Sequence, residues 1–319
     1  MGKSDSILIE KIEDLKKRKH ALILAHNYQP ADIQDIADLV GDTLELSRRA
    51  AQSEAGMVVV CGVDFAAETV SLFCPAKTVL IPELNAGCPM AGMITAESLR
   101  QKKKECPEAV VVCYLKSPAE VKAESDVCCT SSNAARIVES IDKNRPIIFV
   151  PDQYLGDYVC TQTGRDMDLW PGYCPSHFKI TPEDISGQKE LHPRAKIVVH
   201  PGCSPQVRAA ADAVLSVSEI INYVRLTDAA EFIVGTETGL LHRLKKENPG
   251  KQFIAASELA MCGKMRLITL ESVLWSLENL THQIKIPEDI RVKARRAIDR
   301  GTNINSETIT KIQDTTTKQ

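Results

Sequence analysis

The sequence lacks the features that mark several protein classes. No apolar run approaches the roughly 18 residues that cross a bilayer, and the first residues, MGKSDSILIE, are polar where a secretory signal would be apolar. Neither charge sign dominates, because 39 basic residues face 42 acidic ones and the net charge is −3. These absences predict a cytoplasmic protein that binds neither a membrane nor a nucleic acid, and they favour a small-molecule ligand.

Cysteine is the residue type with an unusual count. There are eleven cysteines in 319 residues, and an odd number is incompatible with a complete disulfide framework. In a reducing compartment, cysteines bind metals, carry out redox chemistry or pack as small hydrophobic side chains. Their spacing along the chain helps to separate these uses.

One pattern of elements occurs three times along the chain. Each copy has a short apolar strand, a polar corner with proline, a helix and an aspartate; the copies begin at Ala21, Ala109 and Ala195, and their aspartates are Asp38, Asp126 and Asp212. A second apolar strand follows in each copy, in GMVVVCGV, RPIIFVPD and AEFIVGTE, and a third precedes a late cysteine. Continuous apolar strands that alternate with helices are typical of parallel sheets covered on both faces. We therefore predict an α/β protein of three repeated, Rossmann-like α/β/α domains around a pseudo-threefold axis.

The repeats set the predicted domain boundaries. We expect an N-terminal helix in 1–20, repeats in 21–106, 107–192 and 193–302, the last with C-terminal helices, and a flexible tail in 303–319. The spacing of apolar residues predicts an amphipathic helix from Ser6 to Lys19, with Ser6 as its N-cap. The C-terminal helices are predicted in the apolar segment from Leu267 and in the segment that begins at Pro287.

Three cysteines share the spacing of the repeats. Cys88 and Cys174 lie 86 residues apart, and Cys174 and Cys262 lie 88 residues apart. Equivalent positions of symmetric units lie on a ring around their axis, so the three thiols are predicted to converge. The surrounding GCPM, YCPS and MCGK indicate loops. The alternative is a small apolar position that recurs in each repeat.

Three thiolates suit two kinds of metal site. A tetrahedral zinc would keep one open position, although zinc sites commonly add a histidine or a fourth sulfur. Ligation by sulfur alone also suits a [4Fe–4S] cluster, which would keep one iron without a protein ligand and could act as a Lewis acid on a substrate. The other eight cysteines have no threefold placement and are predicted to be structural.

Polar side chains follow the first strand of each repeat. Carboxyl ends of parallel strands gather ligand groups, and the candidates there for acid, base or oxyanion donor are His26, Tyr28, Tyr114, Lys116 and His200. His177 follows Cys174 by three residues and is a cluster neighbour or a substrate ligand. Thr43 and Ser131 are predicted at helix N-termini, which attract anions, so we expect a small anionic substrate. Each residue alone would also suit an ordinary cap or a hydrogen-bonded polar side chain.

The chain resembles the quinolinate synthase family from about residue 20 to 300, in AHNYQP, VGDTLELS, CGVDFAAETV, GCPMA, CCTSSNAA, LWPGYCPSH, FIVGTETGLLHRL and ITLESVLWSLE. The resemblance implies an oxygen-sensitive [4Fe–4S] cluster held by Cys88, Cys174 and Cys262, with one iron not ligated by cysteine. It implies condensation of iminoaspartate with dihydroxyacetone phosphate to quinolinate in NAD biosynthesis, with iminoaspartate supplied by a separate oxidase or dehydrogenase. It also implies a substrate pocket formed by His26, Tyr28, Thr43, Phe65, Tyr114, Ser131, His177, His200 and Ser216.

Thr43 replaces a serine of the family pattern and keeps the hydroxyl, and three other positions do not match that pattern. Lys116 stands where the family has asparagine, Gly202 where it has glutamate, and Val217 where it has threonine. A glycine cannot transfer protons, and a lysine in that space would favour a more anionic substrate or supply an amine base. The repeat alignment makes Tyr28, Lys116 and Gly202 equivalent, so they are predicted to face one central cavity.

Three functions are compatible with these residues. The first is quinolinate synthesis. The second is that of a paralogue which uses the same open iron to dehydrate, condense or sulfurate a different small anion. The third is a non-catalytic iron–sulfur carrier or sensor, which would need a releasable cluster and would leave the aligned histidines and tyrosines without a task.

Overall fold

Three parallel sheets form the framework of the protein. The computed structural model describes residues 3–302, and its strands are β1 (Ala21–His26), β2 (Leu39–Gly41), β3 (Met57–Cys61), β4 (Thr78–Leu80), β5 (Val110–Tyr114), β6 (Val127–Cys129), β7 (Ile147–Val150), β8 (Asp168–Leu169), β9 (Lys196–Val199), β10 (Ala213–Val214), β11 (Glu231–Gly235) and β12 (Gln252–Ala255). They pair in parallel, in the orders β2-β1-β3-β4, β6-β5-β7-β8 and β10-β9-β11-β12. The predicted α/β class with three repeats is therefore confirmed.

Helices connect and cover the strands. They are α1 (Lys3–Arg18), α2 (Ala31–Ile36), α3 (Thr43–Gln52), α4 (Asp64–Phe73), α5 (Ala96–Glu105), α6 (Ala119–Ala123), α7 (Ala134–Glu139), α8 (Gln153–Thr163), α9 (Pro175–Phe178), α10 (Pro182–Leu191), α11 (Pro205–Ala209), α12 (Val217–Leu226), α13 (Leu240–Glu247), α14 (Leu270–Asn279) and α15 (Glu288–Thr302). Within residues 3–302, none of these helices has the length and apolar character needed to cross a membrane.

The predicted terminal helices are present with shifted bounds. Helix α1 begins at Lys3, so Ser6 lies inside it and the assignment of Ser6 as the N-cap is wrong; Asp5 stabilises the first turn, because an acidic side chain favours the positive end of the helix dipole. Helix α14 begins after Thr269, which caps it. The predicted flexible tail, 303–319, lies outside the described residues.

The described residues pack into two compact units. The first comprises 3–88, 237–249 and 261–286 and contains the first sheet with α1 to α4, α13 and α14. The second comprises 89–236, 250–260 and 287–302 and contains the other two sheets. The domain limits deduced from the repeats and the pseudo-threefold axis stay predictions.

The repeated aspartates hold an outer strand to the centre of each sheet. The Oδ2 atoms of Asp38, Asp126 and Asp212 accept hydrogen bonds of 2.8 Å from the backbone N–H groups of β1, β5 and β9, at Ile23, Val111 and Ile197. The outer strands that follow them, β2, β6 and β10, have only two or three residues. Each repeat therefore has four strands where three were predicted. The outer strand was not predicted because two or three residues are too few to show a periodic pattern.

The central strands of every sheet are buried. Strands β5 and β7 are buried along their whole length, β1, β3 and β11 each have one partly exposed residue, and β9 has one exposed residue, Lys196. Each fully buried valine, leucine or isoleucine stabilises the fold by about 1.5–3 kcal/mol relative to an exposed one. These strands therefore form rigid platforms, and the loops at their carboxyl ends carry the candidate site residues.

Candidate active site

The carboxyl edge of the first sheet carries four of the predicted site residues. His26 is the last residue of β1 and pairs with Gly41, two residues before Thr43. Tyr28 packs edge-on against the His26 ring, with ring centroids 4.7 Å apart. Phe65 is the second residue of α4, which follows β3. All four predicted residues are buried, and the first unit therefore places them at one edge of its sheet.

Two of these residues present hydrogen-bonding groups suited to a ligand. The Tyr28 backbone N–H donates to His26 Nδ1 at 3.1 Å, so the neutral His26 ring carries its proton on Nε2. The buried Thr43 hydroxyl has no hydrogen-bond partner among residues 3–302. It belongs to the first residue of α3, where backbone N–H groups attract anions. This part of the edge can bind an anionic or carbonyl oxygen.

In the second unit, Tyr114 joins Lys116 and Ser131. Tyr114 ends β5, and its hydroxyl hydrogen-bonds with Ser131. The Lys116 ammonium lies 5.4 Å from the Tyr114 ring centroid. Burial, strengthened by the negative charge of Asp152, raises the pKa of Tyr114 well above its usual value. Tyr114 therefore stays protonated at neutral pH and can donate a hydrogen bond.

Ser131 does not begin a helix, so that prediction is wrong. Asn133 is the N-cap of α7, and Ser131 lies in the turn before it. The Asn133 side-chain oxygen accepts a 2.7 Å hydrogen bond from the Thr130 backbone N–H. This local turn delays the helix to Ala134, because an asparagine side chain competes with the backbone for hydrogen bonds.

His177 and His200 form a stacked pair. Their ring centroids are 4.4 Å apart and the ring planes differ by 9°. His177 Nε2 lies 2.9 Å from the Thr236 hydroxyl oxygen, and His200 Nδ1 accepts the Gly202 backbone N–H at 3.0 Å. His200 therefore carries its proton on Nε2, which has no hydrogen-bond partner in the described part of the chain.

Both histidines are neutral at pH 7. Burial lowers the pKa of His177 to about 3, with a contribution from the positive charge of Lys116. Burial also lowers the pKa of His200 well below its usual value, and His177 and Lys116 act in the same direction. The two rings therefore serve as hydrogen-bonding groups at neutral pH, not as groups that hold an extra proton.

Ser216 is engaged in helix capping. It is the N-cap of α12, and its hydroxyl lies 2.6 Å from Glu219 Oε2 while accepting the Glu219 backbone N–H. This arrangement is a capping box. The predicted role of Ser216 in substrate binding stays a prediction.

The three spaced cysteines lie in the loops that follow the last strand of each sheet, β4, β8 and β12. Cys88, Cys174 and Cys262 are partly exposed, and no disulfide occurs among the eleven cysteines, all of which lie within residues 3–302. Among those residues, no three histidine, cysteine, aspartate or glutamate side chains are close enough to bind a single metal ion. A [4Fe–4S] cluster spaces its thiolates farther apart than one ion does, and the convergence of the three thiols stays a prediction.

Sequence analysis missed three acidic residues that closely follow the central strands: Asp64 lies three residues after β3, and Asp152 and Glu237 lie two residues after β7 and β11. Asp64 accepts the Cys88 backbone N–H at 3.0 Å, and Glu237 accepts that of Cys262 at 3.0 Å. The signal was available as the acidic residue in GVDF, VPDQ and GTET. Two of the three carboxylates therefore hold a cysteine loop in place.

Asp152 is arranged differently. Its Oδ1 atom accepts the backbone N–H groups of Tyr154 and Leu155 and so caps α8. Burial raises the pKa of Asp152 to about 6, although the positive charge of Lys116 opposes the shift. The second unit therefore combines a buried carboxylate with a cation and two neutral imidazoles, which together can bind a polar substrate and move a proton.

The cysteine set fits an iron–sulfur cluster chemically. Thiolate is the ligand that such clusters use. Burial raises the pKa of the Cys174 thiol, and the positive charge of Lys116 opposes that shift and favours the thiolate. Loops that leave the sulfur partly exposed while carboxylates hold the backbone are compatible with ligation at Cys88 and Cys262.

Comparisons with known proteins match one family over most of the chain. A family model described as quinolinate synthetase A protein matches residues 10–303. A protein named quinolinate synthase from Dehalococcoides mccartyi is 53% identical over 294 residues, which cover 92% of this chain and 97% of that protein. Proteins of the same name from Desulforudis audaxviator and Methanosarcina barkeri are 50% and 47% identical, covering 94% and 92% of this chain and 99% and 96% of their own lengths. The chain therefore belongs to the quinolinate synthetase A family of enzymes.

Proposed function

We propose that this chain is a quinolinate synthase that condenses iminoaspartate with dihydroxyacetone phosphate to quinolinate in NAD biosynthesis. The observation that carries the proposal is the identity of about one half, over 92% of the chain, to proteins of that name. Family likeness alone does not fix a reaction, and the site chemistry adds support. Thr43, Lys116 and the neutral imidazoles suit carboxylate, phosphate and carbonyl oxygens.

The proposed cofactor is a [4Fe–4S] cluster held by Cys88, Cys174 and Cys262, with one iron not ligated by cysteine. The threefold spacing of these residues and the carboxylates that hold two of their loops support this assignment. When bound, the cluster would supply a Lewis-acidic iron that polarises a substrate oxygen or nitrogen.

The chain's own residues would bind and orient the two substrates. His26 and His200 each direct a proton-bearing Nε2 as a hydrogen-bond donor, because a backbone N–H occupies Nδ1. Tyr114, kept protonated by burial and oriented by Ser131, is a further donor. Phe65 and Tyr28 line the edge of the first sheet as buried aromatic side chains that exclude water.

A direct assay tests the proposal. Protein purified and reconstituted anaerobically with iron and sulfide would be mixed with dihydroxyacetone phosphate and with iminoaspartate generated by a separate aspartate oxidase or dehydrogenase, which we also propose as its natural supplier. Quinolinate, identified by mass spectrometry, is the expected product. The Cys88→Ser variant is the matched control, and a wild-type protein with a full cluster that forms no quinolinate would refute the assignment.

One observation favours a second candidate, a paralogue that uses the same cluster on a different small anion. Position 202 has no side chain and Lys116 adds a positive charge, where the family carries glutamate and asparagine. This candidate predicts little quinolinate from the wild type. It also predicts a rise of tenfold or more when Lys116→Asn, Gly202→Glu and Val217→Thr are combined, whereas a quinolinate synthase adapted to these residues would lose activity.

A further inference from the structure

Asp152 has one oxygen that the fold does not use for capping. The side chain is 1% exposed, and Oδ1 alone accepts the two N–H groups at the start of α8, from Tyr154 at 3.0 Å and Leu155 at 3.3 Å. An ordinary N-cap aspartate would keep its second oxygen in water, since charged groups are rarely buried without a reason. Here Oδ2 faces the interior of the second unit.

Oδ2 lies beside Gly202, and distances from a side-chain position at residue 202 show what surrounds it. A Cβ atom at residue 202 would lie 3.3 Å from Asp152 Oδ2, 3.0 Å from His200 Nδ1 and 3.5 Å from His177 Nδ1. The carboxylate and the two stacked imidazoles therefore surround the space into which a side chain at 202 would extend. Because residue 202 is glycine, it places no side chain in that space, and the Asp152 carboxylate lies at the border.

The charges around Asp152 suit a group that accepts and returns a proton. Lys116 acts on it as a positive charge that opposes the effect of burial. The neighbouring histidines are neutral and Tyr114 is protonated at pH 7, while the pKa of Asp152 is about 6. A general acid–base group works best when its pKa lies near the working pH.

The carboxylates that follow the central strands of the other two repeats have a different task. Asp64 and Glu237 each accept a backbone N–H from a cysteine loop, whereas the Asp152 carboxylate accepts from Tyr154 and Leu155. Glu237 also pairs with the Arg266 guanidinium at 3.3 Å. What distinguishes Asp152 is that its carboxylate borders the stacked imidazoles of His177 and His200 and lies in the field of Lys116.

We propose that Asp152 is a catalytic residue that exchanges a proton with the substrate through Oδ2, with Lys116 as its charge partner. This inference rests on the proposed function. Oδ2 takes a proton from the carbon beside the substrate carbonyl, and the electron pair of that C–H bond forms the enolate. In the condensed substrate, which carries a hydroxyl on the carbon next to the deprotonated one, the enolate re-forms the carbonyl and its electron pair makes a carbon–carbon double bond to that neighbouring carbon. The C–O bond of the neighbouring carbon breaks as protonated Asp152 gives its proton to the departing hydroxyl, so water leaves and the carboxylate is restored.

The Asp152→Asn variant separates this role from helix capping. Asparagine is as good an N-cap as aspartate, and its amide oxygen can accept the same two N–H groups, but it cannot accept the substrate proton. Asp166→Asn makes the same chemical change at an exposed position of the same unit and is the matched control. Melting temperature and iron content should be equal in all three proteins.

Two readouts test the proposal. The first is kcat for quinolinate formation, and the second is the incorporation of solvent deuterium into dihydroxyacetone phosphate without iminoaspartate, measured by mass spectrometry against buffer alone. Asp152→Asn should lower both by about 100-fold or more, the usual range for loss of a general acid–base group, with KM changed less than threefold. Gly202→Glu in the Asp152→Asn background should recover at least tenfold, and Gly202→Ala in that background should recover nothing.

The outcomes distinguish this inference from the proposed function. A wild type that forms no quinolinate but exchanges deuterium, with the exchange lost in Asp152→Asn, would reject the reaction and support the role of Asp152. Wild-type values in Asp152→Asn, or no deuterium exchange by the wild type, would overturn the inference. A loss in Asp152→Asn that accompanies lower melting temperature or iron content, without recovery by Gly202→Glu, would also overturn it.

Discussion

The Glu237 carboxylate, 1% exposed, accepts the backbone N–H of Cys262 at 3.0 Å. Its other oxygen, Oε2, accepts the Gly239 backbone N–H at 2.7 Å, so one buried side chain joins the N-cap of α13 to a cysteine loop. Asp64 is half-buried, and its Oδ1 atom accepts the backbone N–H groups of both Phe65 and Cys88. The carboxylates thus fix the backbone from which two of the proposed ligand thiols project.

Removing either carboxylate should weaken retention of the cluster. Residues that hold a metal ligand in position commonly contribute 10- to 100-fold to metal affinity, and we expect losses in that range for Glu237→Ala and Asp64→Ala. The measurement is iron per chain after anaerobic reconstitution and challenge with a chelator. Glu258→Ala changes an exposed acid and should behave as the wild type; equal retention in all the variants would show that these hydrogen bonds do not support ligation.

Replacing any one of the three spaced cysteines should abolish stable cluster binding. A serine hydroxyl is not deprotonated at neutral pH and is a poor substitute for a thiolate ligand. Cys88→Ser, Cys174→Ser and Cys262→Ser should each lose most of the bound iron and the visible absorption of the cluster. Cys160→Ser changes another partly exposed cysteine and should keep both. Iron bound equally by Cys160→Ser and the other three variants would contradict the assignment.

The buried histidines should make the protein sensitive to acid. The pKa of His177 is about 3 in the folded protein against 6.5 when unfolded, so between these values the unfolded chain binds a proton that the folded protein does not. The free energy of unfolding should therefore fall as pH decreases below 6.5, by up to about 1.4 kcal/mol per pH unit from this residue.

Urea unfolding from pH 7.5 to 5 measures this dependence. His177→Gln should flatten the curve below pH 6.5, while His20→Gln, at an exposed histidine, should leave it unchanged. The raised pKa of Asp152 has the opposite effect, since it increases the free energy of unfolding as pH falls toward 6 and below. The wild type and both histidine variants share this contribution, so it does not affect their comparison. Identical slopes in the wild type and His177→Gln would show that His177 titrates normally.

The repeated aspartates should be important for stability. Asp126→Ala removes the acceptor of the Val111 backbone N–H, a 2.8 Å bond inside the second sheet, and an unsatisfied buried donor costs about 1–3 kcal/mol. We expect a melting temperature several degrees lower. Asp126→Asn keeps an oxygen acceptor, and its melting temperature should fall by less than half as much. An unchanged melting temperature in Asp126→Ala would show that this hydrogen bond does not stabilise the fold.

Much of the fold could be predicted because buried parallel strands are continuous apolar segments. Strands β1, β5 and β9 lie where the apolar segments indicated, and the aspartates that follow them occupy equivalent places in each sheet. The outer strands β2, β6 and β10 were missed because they have only two or three residues, which is too short for an apolar pattern. Pairing with the neighbouring strand stabilises them, and that pairing is not visible in the local sequence.

The site was predicted less completely for a related reason. His26, Tyr114 and His200 could be identified because the first two end recognisable strands and the third directly follows one. Asp152 resembled an ordinary helix cap, and its second task depends on Gly202, fifty residues later in the chain. Proximity of that kind is created by packing and leaves no local pattern.

The amino-acid sequence by itself determined the three α/β repeats and the equivalence of their cysteines, because apolar periodicity and spacing are properties of the chain. Tertiary structure alone decided which groups of the second unit stay neutral and where the Asp152 carboxylate lies. Burial and neighbouring charges, which set protonation, exist only after distant segments have packed together.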